Sequence, residues 1–206
     1  MKYDKSLLFI DGGFLSKLSK HLGNGIYLKF KIKDFINNLA NRYHFNFKTI
    51  FYYTAPPYQS NKPDKLQVKR KENYDSFKSS LIKEGFIFRE GRVQRLKIDG
   101  NFLYKQKGVD TLLTIDLSHI KEDYPDINKI FLISSDTDFV PIIEDIKKRG
   151  IEVILLTYFD RKRRSPFSLS NHLLDSCSRY IFLVKEDFLS LKESNKKGNS
   201  NANKEV

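Results

Sequence analysis

Four aspartates hold positions where they could do chemistry together. Asp136 and Asp138 close the apolar run in KIFLISSDTDFVPIIEDIKKRG, Asp11 follows LLFI, and Asp110 opens the helical pattern of KGVDTLLTIDL. Carboxylates at strand ends can meet in one crevice of an α/β protein. Hard divalent cations such as Mg²⁺ or Mn²⁺ need oxygen ligands, and an Asp set can supply them while leaving positions open for water and phosphate. In such a site the ion positions a phosphodiester, activates water and stabilises the leaving oxygen. The four histidines, His21, His44, His119 and His172, are scattered without the close pairing that suits zinc.

Each acid also has a plainer reading. Asp136, Thr137 and Asp138 precede a helix, and Ser, Thr and Asp are preferred N-caps, so Asp138 could cap the helix starting near Phe139. Asp110 could be a first-turn acid favoured by the helix dipole. Gly12-Gly13 after Asp11 allow a tight turn beside a ligand, or a glycine turn that uses Asp for local hydrogen bonding. Two acids two residues apart nevertheless exceed what one cap needs, and close like charges repel unless a cation or strong hydrogen bonds compensate. Ser134, Ser135 and Thr137 could bind phosphate or metal-bound water, or simply hold the turn.

The elements that must position these residues follow from periodicity. Short β-rich runs occur at 7–10, 47–53, 86–88, 130–133, 153–156 and 180–184. Helical patterns lie at 31–40, with Ile32, Phe35, Ile36 and Leu39 on one face, and at 64–83, 110–120 and 139–149, the last stopped by Gly150. Alternating strands and helices predict an α/β fold, a three-layer α/β/α sandwich with a mainly parallel central sheet. Between 89 and 107, Asp99-Gly100 separates two short alternating runs and predicts a small hairpin-like insertion. One domain over 1–190 is expected, with 191–206 a disordered polar tail.

Among 206 residues, 37 Lys and Arg against 25 Asp and Glu give a net charge of +12, which attracts polyanions. Candidate phosphate-binding groups are Arg89, Arg92, Arg95, Lys97, Lys105 and Lys107 around the insertion, and Arg161, Lys162, Arg163 and Arg164 further on. Lys107 stands out because it precedes Asp110 by three residues. Tyr52, Tyr53 and Tyr58 flank the Pro56-Pro57 loop, and Phe102 and Tyr104 interleave with the basic insertion; all could stack unpaired bases, though aromatics at alternating positions more often serve as core residues or cross-strand pairs. The single Cys177 excludes an internal disulfide and a thiolate cluster and fits a reducing, cytoplasmic setting. No apolar stretch is long enough for a membrane span, and a homodimer is not excluded.

Read in order, LLFIDGG, KGVDTLLTIDLSHI and IFLISSDTDFVPIIEDIKKRGIEVILL resemble the NYN family, the LabA-like or DUF88 branch of the PIN-like ribonucleases. The resemblance implies a PIN-like fold and divalent-metal-dependent cleavage of RNA, with Mg²⁺ or Mn²⁺ held by Asp11, Asp110, Asp136 and Asp138. Asp116 matches a commonly acidic supporting position. The chain departs from the family in having Phe14 where an Asn often follows the first Asp by three residues. A later acidic position falls on Ser178. Some related domains bind without cutting, so the resemblance also carries an inactive nucleic-acid-binding or regulatory reading. A phosphohydrolase of the haloacid dehalogenase type would need a DxD-type motif after the first strand, which Asp11-Gly12-Gly13 does not provide.

Overall fold

A computed structural model describes residues 5–160, 167 and 170–189. Among these, β1 (Lys5–Asp11), β2 (Asn46–Thr54), β3 (Ile87–Glu90), β6 (Lys129–Ile133), β7 (Glu152–Thr157) and β8 (Arg179–Phe182) form a six-stranded sheet. Its order is β3-β2-β1-β6-β7-β8, and every pairing is parallel. A parallel sheet is covered on both faces, so its central strands read as unbroken apolar runs. Leu7 and Phe9 of β1 enter one core and Leu8 and Ile10 the other, as side chains alternate across a strand.

The helices divide between the two faces. Helix α1 (Gly12–Leu22), α2 (Ile32–Tyr43) and α3 (Lys65–Lys83) cover one, with Leu15, Leu18, Phe35, Leu39 and Leu81 buried there. On the other lie α4 (Val109–Ser118), the short α5 (Ile120–Asp123), α6 (Val140–Lys148) and α7 (Asn171–Ser176), represented by Leu113, Leu117, Ile120, Ile143, Ile146 and Leu173. The three-layer architecture expected from the alternation is therefore found.

The hairpin is found as well. Strands β4 (Arg92–Ile98) and β5 (Asn101–Lys107) pair antiparallel as a separate two-stranded sheet, and Asp99 and Gly100 turn it with φ of 47° and 79°. Positive φ at both turn residues matches the sheet's right-handed twist. Three local features differ from the expectation. Helix α1 starts directly at Asp11, a 3₁₀ turn over Thr137–Phe139 precedes α6, and the last strand ends at Phe182. The tail at 191–206 lies outside the described residues.

Candidate functional site

From neighbours β1 and β6 the chain works outward in opposite directions, through β2 to β3 and through β7 to β8. The carboxyl ends of two such strands flank the crevice where open α/β sheets hold ligands. Asp11 is the last residue of β1 and the N-cap of α1, its Oδ1 accepting the Phe14 N–H at 3.0 Å. Its Oδ2 accepts the Ser134 hydroxyl at 3.3 Å. Gly12 makes this abrupt strand-to-helix junction sterically feasible. A Cβ there would sit 2.7 Å from the Tyr53 carbonyl oxygen and 2.8 Å from the Tyr52 ring.

The segment after β6 is organised by its own polar groups. Ser134 Oγ accepts the Asp136 N–H at 3.2 Å, and Asp136 Oδ1 accepts the Asp138 N–H at 2.9 Å. Asp136 thus caps the 3₁₀ turn, whereas the exposed Asp138, a candidate cap for the helix starting near Phe139, caps neither element: Phe139 is the N-cap of α6, with no side-chain hydrogen bond. Asp110 stands in the first turn of α4, behind Gly108, which adopts a left-handed conformation.

Electrostatically the four acids form a chain centred on Asp110. Burial, then the charges of Asp136 and Asp138, raise the Asp110 carboxyl above the usual carboxylate range, and Lys17 opposes them. Asp11 is raised by burial and by Asp110, against hydrogen bonds from the Phe14 and Gly13 N–H groups and from Ser134. Among the described residues no three acidic, His or Cys side chains close into a ready-made coordination shell. The donor chemistry still fits a hard cation: all-oxygen ligands on mutually repelling carboxylates, with the shell to be completed by water or phosphate oxygens.

A cleft of about 990 Å³ opens at two of these acids, its lining including Asp11, Ser135, Asp136 and Thr137 but neither Asp110 nor Asp138. Phe14, Lys17, Lys20 and His21, at helical spacing along α1, line it too. Sequence reading did not single out Lys17 or Lys20. The signal was the pattern Phe14, Leu15, Leu18, masked by two glycines of poor helix propensity at the helix start. His21 Nε2 lies 3.4 Å from Asp160. Phe14 packs edge-on against Phe167, 6.2 Å between centroids, so an apolar ring walls the cleft where the related pattern has an amide.

Other expected residues are placed apart from this cleft, and Tyr52 and Tyr53, offered as stacking rings, are instead buried in the two cores because β2 is an inner strand covered on both faces. Asp116 accepts the Tyr53 hydroxyl at 2.7 Å and a two-pronged Arg89 contact at 2.8 Å on each oxygen, so both residues serve an ion pair joining α4 to β3. Arg92, Arg95, Lys97, Lys105 and Lys107 stand exposed on the hairpin. Arg161, Lys162, Arg163 and Arg164 lie outside the described residues.

Comparison with known proteins adds two findings. The NYN domain model matches residues 5–186. A crystal structure of a protein of unknown function from Vibrio parahaemolyticus is similar with a TM-score of 0.58 at 19% identity, over 91% of this chain and 96% of that one. At that identity the likeness concerns the fold alone. No curated protein matches the sequence.

Proposed function

Because the chain belongs to the NYN domain family, a PIN-like nuclease family, we propose that it is a divalent-metal-dependent endoribonuclease using Asp11, Asp110, Asp136 and Asp138. The observation that carries this reading is the joining of Asp11, at the end of β1, to the turn bearing Asp136 after β6 through the Ser134 side chain, with Asp110 of α4 near enough to raise Asp11 and to be raised by Asp136. Structural capping explains Asp11 and Asp136 singly, but does not explain the electrostatic coupling of Asp110 to Asp11, Asp136 and Asp138. Bound at these carboxylates, Mg²⁺ or Mn²⁺ would supply Lewis acidity and a nucleophilic water at neutral pH.

The chain's own groups do the rest. Asp11 is fixed by the Phe14 N–H and the Ser134 hydroxyl, so its carboxylate is oriented before any substrate arrives. Lys17 and Lys20 line the cleft and offset the repulsion between an anionic backbone and the acids. Phe14 and Phe167 present an apolar wall that excludes water from one side. Ser135 and Thr137 add hydroxyls to the lining.

Phe14 also favours a second reading, a binding or regulatory NYN module without efficient cleavage, since it removes an amide that could orient a ligand. Labelled single-stranded RNA incubated with Mn²⁺, with an EDTA control, separates the two. Asp136→Asn keeps an oxygen to cap the turn and should abolish cleavage with the fold intact. Wild-type cutting by that variant would exclude the nuclease assignment.

A further inference from the structure

The hairpin, the loop after β2 and the first turns of α3 border a second cavity of about 650 Å³, whose lining includes Pro57, Tyr58, Asp64, Arg70, Tyr104 and Gln106. Phe102, Tyr104 and Gln106 alternate along β5 and so share one face, rising by ~6.7 Å per pair of residues. The rings there are not buried as core rings are. Phe102 is 52% exposed and Tyr104 49%. Tyr58 meets Tyr104 at 5.1 Å between centroids, and the Arg95 guanidinium lies over both Tyr58, at 4.9 Å, and Phe102, at 4.5 Å.

At the inner end of this face stands Gln106. Its Oε1 is 3.4 Å from where a Gly13 Cβ would be, and Gly13 is two residues past Asp11. The aromatic face therefore leads to the carboxylates. Arg95 and Lys97 pair with Tyr104 and Phe102 on this same face, and Arg70 lines the cavity beneath it, so the ligand matching this face is an anion with exposed flat apolar rings. A duplex hides its base faces, whereas an unpaired strand offers both charge and rings.

We propose that the hairpin and the Pro56–Tyr58 loop form a base-stacking subsite for single-stranded RNA leading into the acidic centre. Tyr104, Phe102 and Tyr58 supply ring faces, Arg95 stacks by its planar cation, and Lys97, paired with Phe102 on the same face, contacts phosphate. This deepens the nuclease reading, on which its direction toward the acids rests, but binding is measurable without cleavage.

The test is fluorescence anisotropy in EDTA with a labelled single strand of ~12 nucleotides and with the same sequence as a duplex. Phe102→Ala/Tyr104→Ala should weaken single-strand binding at least tenfold and leave duplex binding within about twofold. The dependence of its affinity on salt should keep its slope, because no cation is lost, whereas Lys97→Ala should flatten it. Tyr104→Phe should bind as wild type, and Phe102→Leu/Tyr104→Leu, which keeps apolar bulk without rings, should behave as the alanine variant. Unchanged single-strand affinity in the ring variants, or equal losses for strand and duplex, would overturn the subsite. Loss of binding in a protein that never cleaves RNA would uphold the subsite and refute the nuclease reading alone.

Discussion

The hydroxyl of Ser134, fully buried at the end of β6, donates to Asp11 Oδ2 at the end of β1, 3.3 Å away, while its oxygen accepts the Asp136 N–H. One small side chain thus sets the separation of two acids 125 residues apart in the chain. Ser134→Ala removes both contacts and should destabilise the protein by about 1 kcal/mol, seen as a lower Tm. RNA cleavage should fall further than that loss explains, because Asp11 and the turn carrying Asp136 are no longer tied together.

The raised Asp11 and Asp110 carboxyls give a pH signature. A carboxyl with a folded-state pKa above its unfolded value favours folding when protonated, and that contribution disappears as pH rises from about 4 through the folded-state value. In EDTA, Asp110→Asn should therefore exceed wild type in Tm near neutral pH, with the difference shrinking toward pH ~4. Adding Mn²⁺ should raise the wild-type Tm by more than that of the variant. Identical pH profiles for the two proteins would mean that Asp110 feels no repulsion.

Gly12→Ala tests the junction beneath the site. The new methyl would press on the Tyr53 carbonyl and the Tyr52 ring at distances no relaxed contact reaches. Overpacking of this kind costs about 1–3 kcal/mol. Since the backbone that must give way carries Asp11, cleavage should drop even at temperatures where circular dichroism reports a folded protein. Full activity in a destabilised variant would show that the junction tolerates movement.

A fourth prediction concerns stability remote from the cleft. Arg42 of α2, 40% exposed, meets the fully buried Asp187 carboxylate at 2.7 Å. Asp187 also accepts the Val184 N–H, and Asn38 donates to the Asp187 and Leu189 carbonyls, so this group seats the segment after β8. Arg42→Ala leaves a buried carboxylate without its cation and should lower stability by about 3 kcal/mol in urea unfolding. Arg42→Lys should recover part of it, and RNA binding should be unaffected in both.

Much of this arrangement was legible in the residues. Apolar runs such as Leu7 to Ile10 and Val153 to Leu156 marked buried parallel strands, and Asp99-Gly100 marked the hairpin. Helix α1 was obscure because it begins with two glycines, of which Gly12 packs closely against Tyr52 and Tyr53, a contact set by the sheet. With α1 hidden, Lys17 and Lys20 had no face to share. Arg89 counted among cations available to a phosphate, yet its partner Asp116 lies 27 residues later, a pairing only the tertiary fold can specify. Asp136 and Asp138 were visible as a pair, while their division of labour required the 3₁₀ turn.

Only Val93 of the hairpin packs against either apolar core among the described residues; Leu96, Ile98, Phe102, Leu103 and Tyr104 do not. Folding free energy and the outer strand surface therefore reside in nearly separate sets of residues. Such thermodynamic insulation lets the hairpin diverge or be exchanged between relatives, retuning what is gripped while the sheet beneath stays intact.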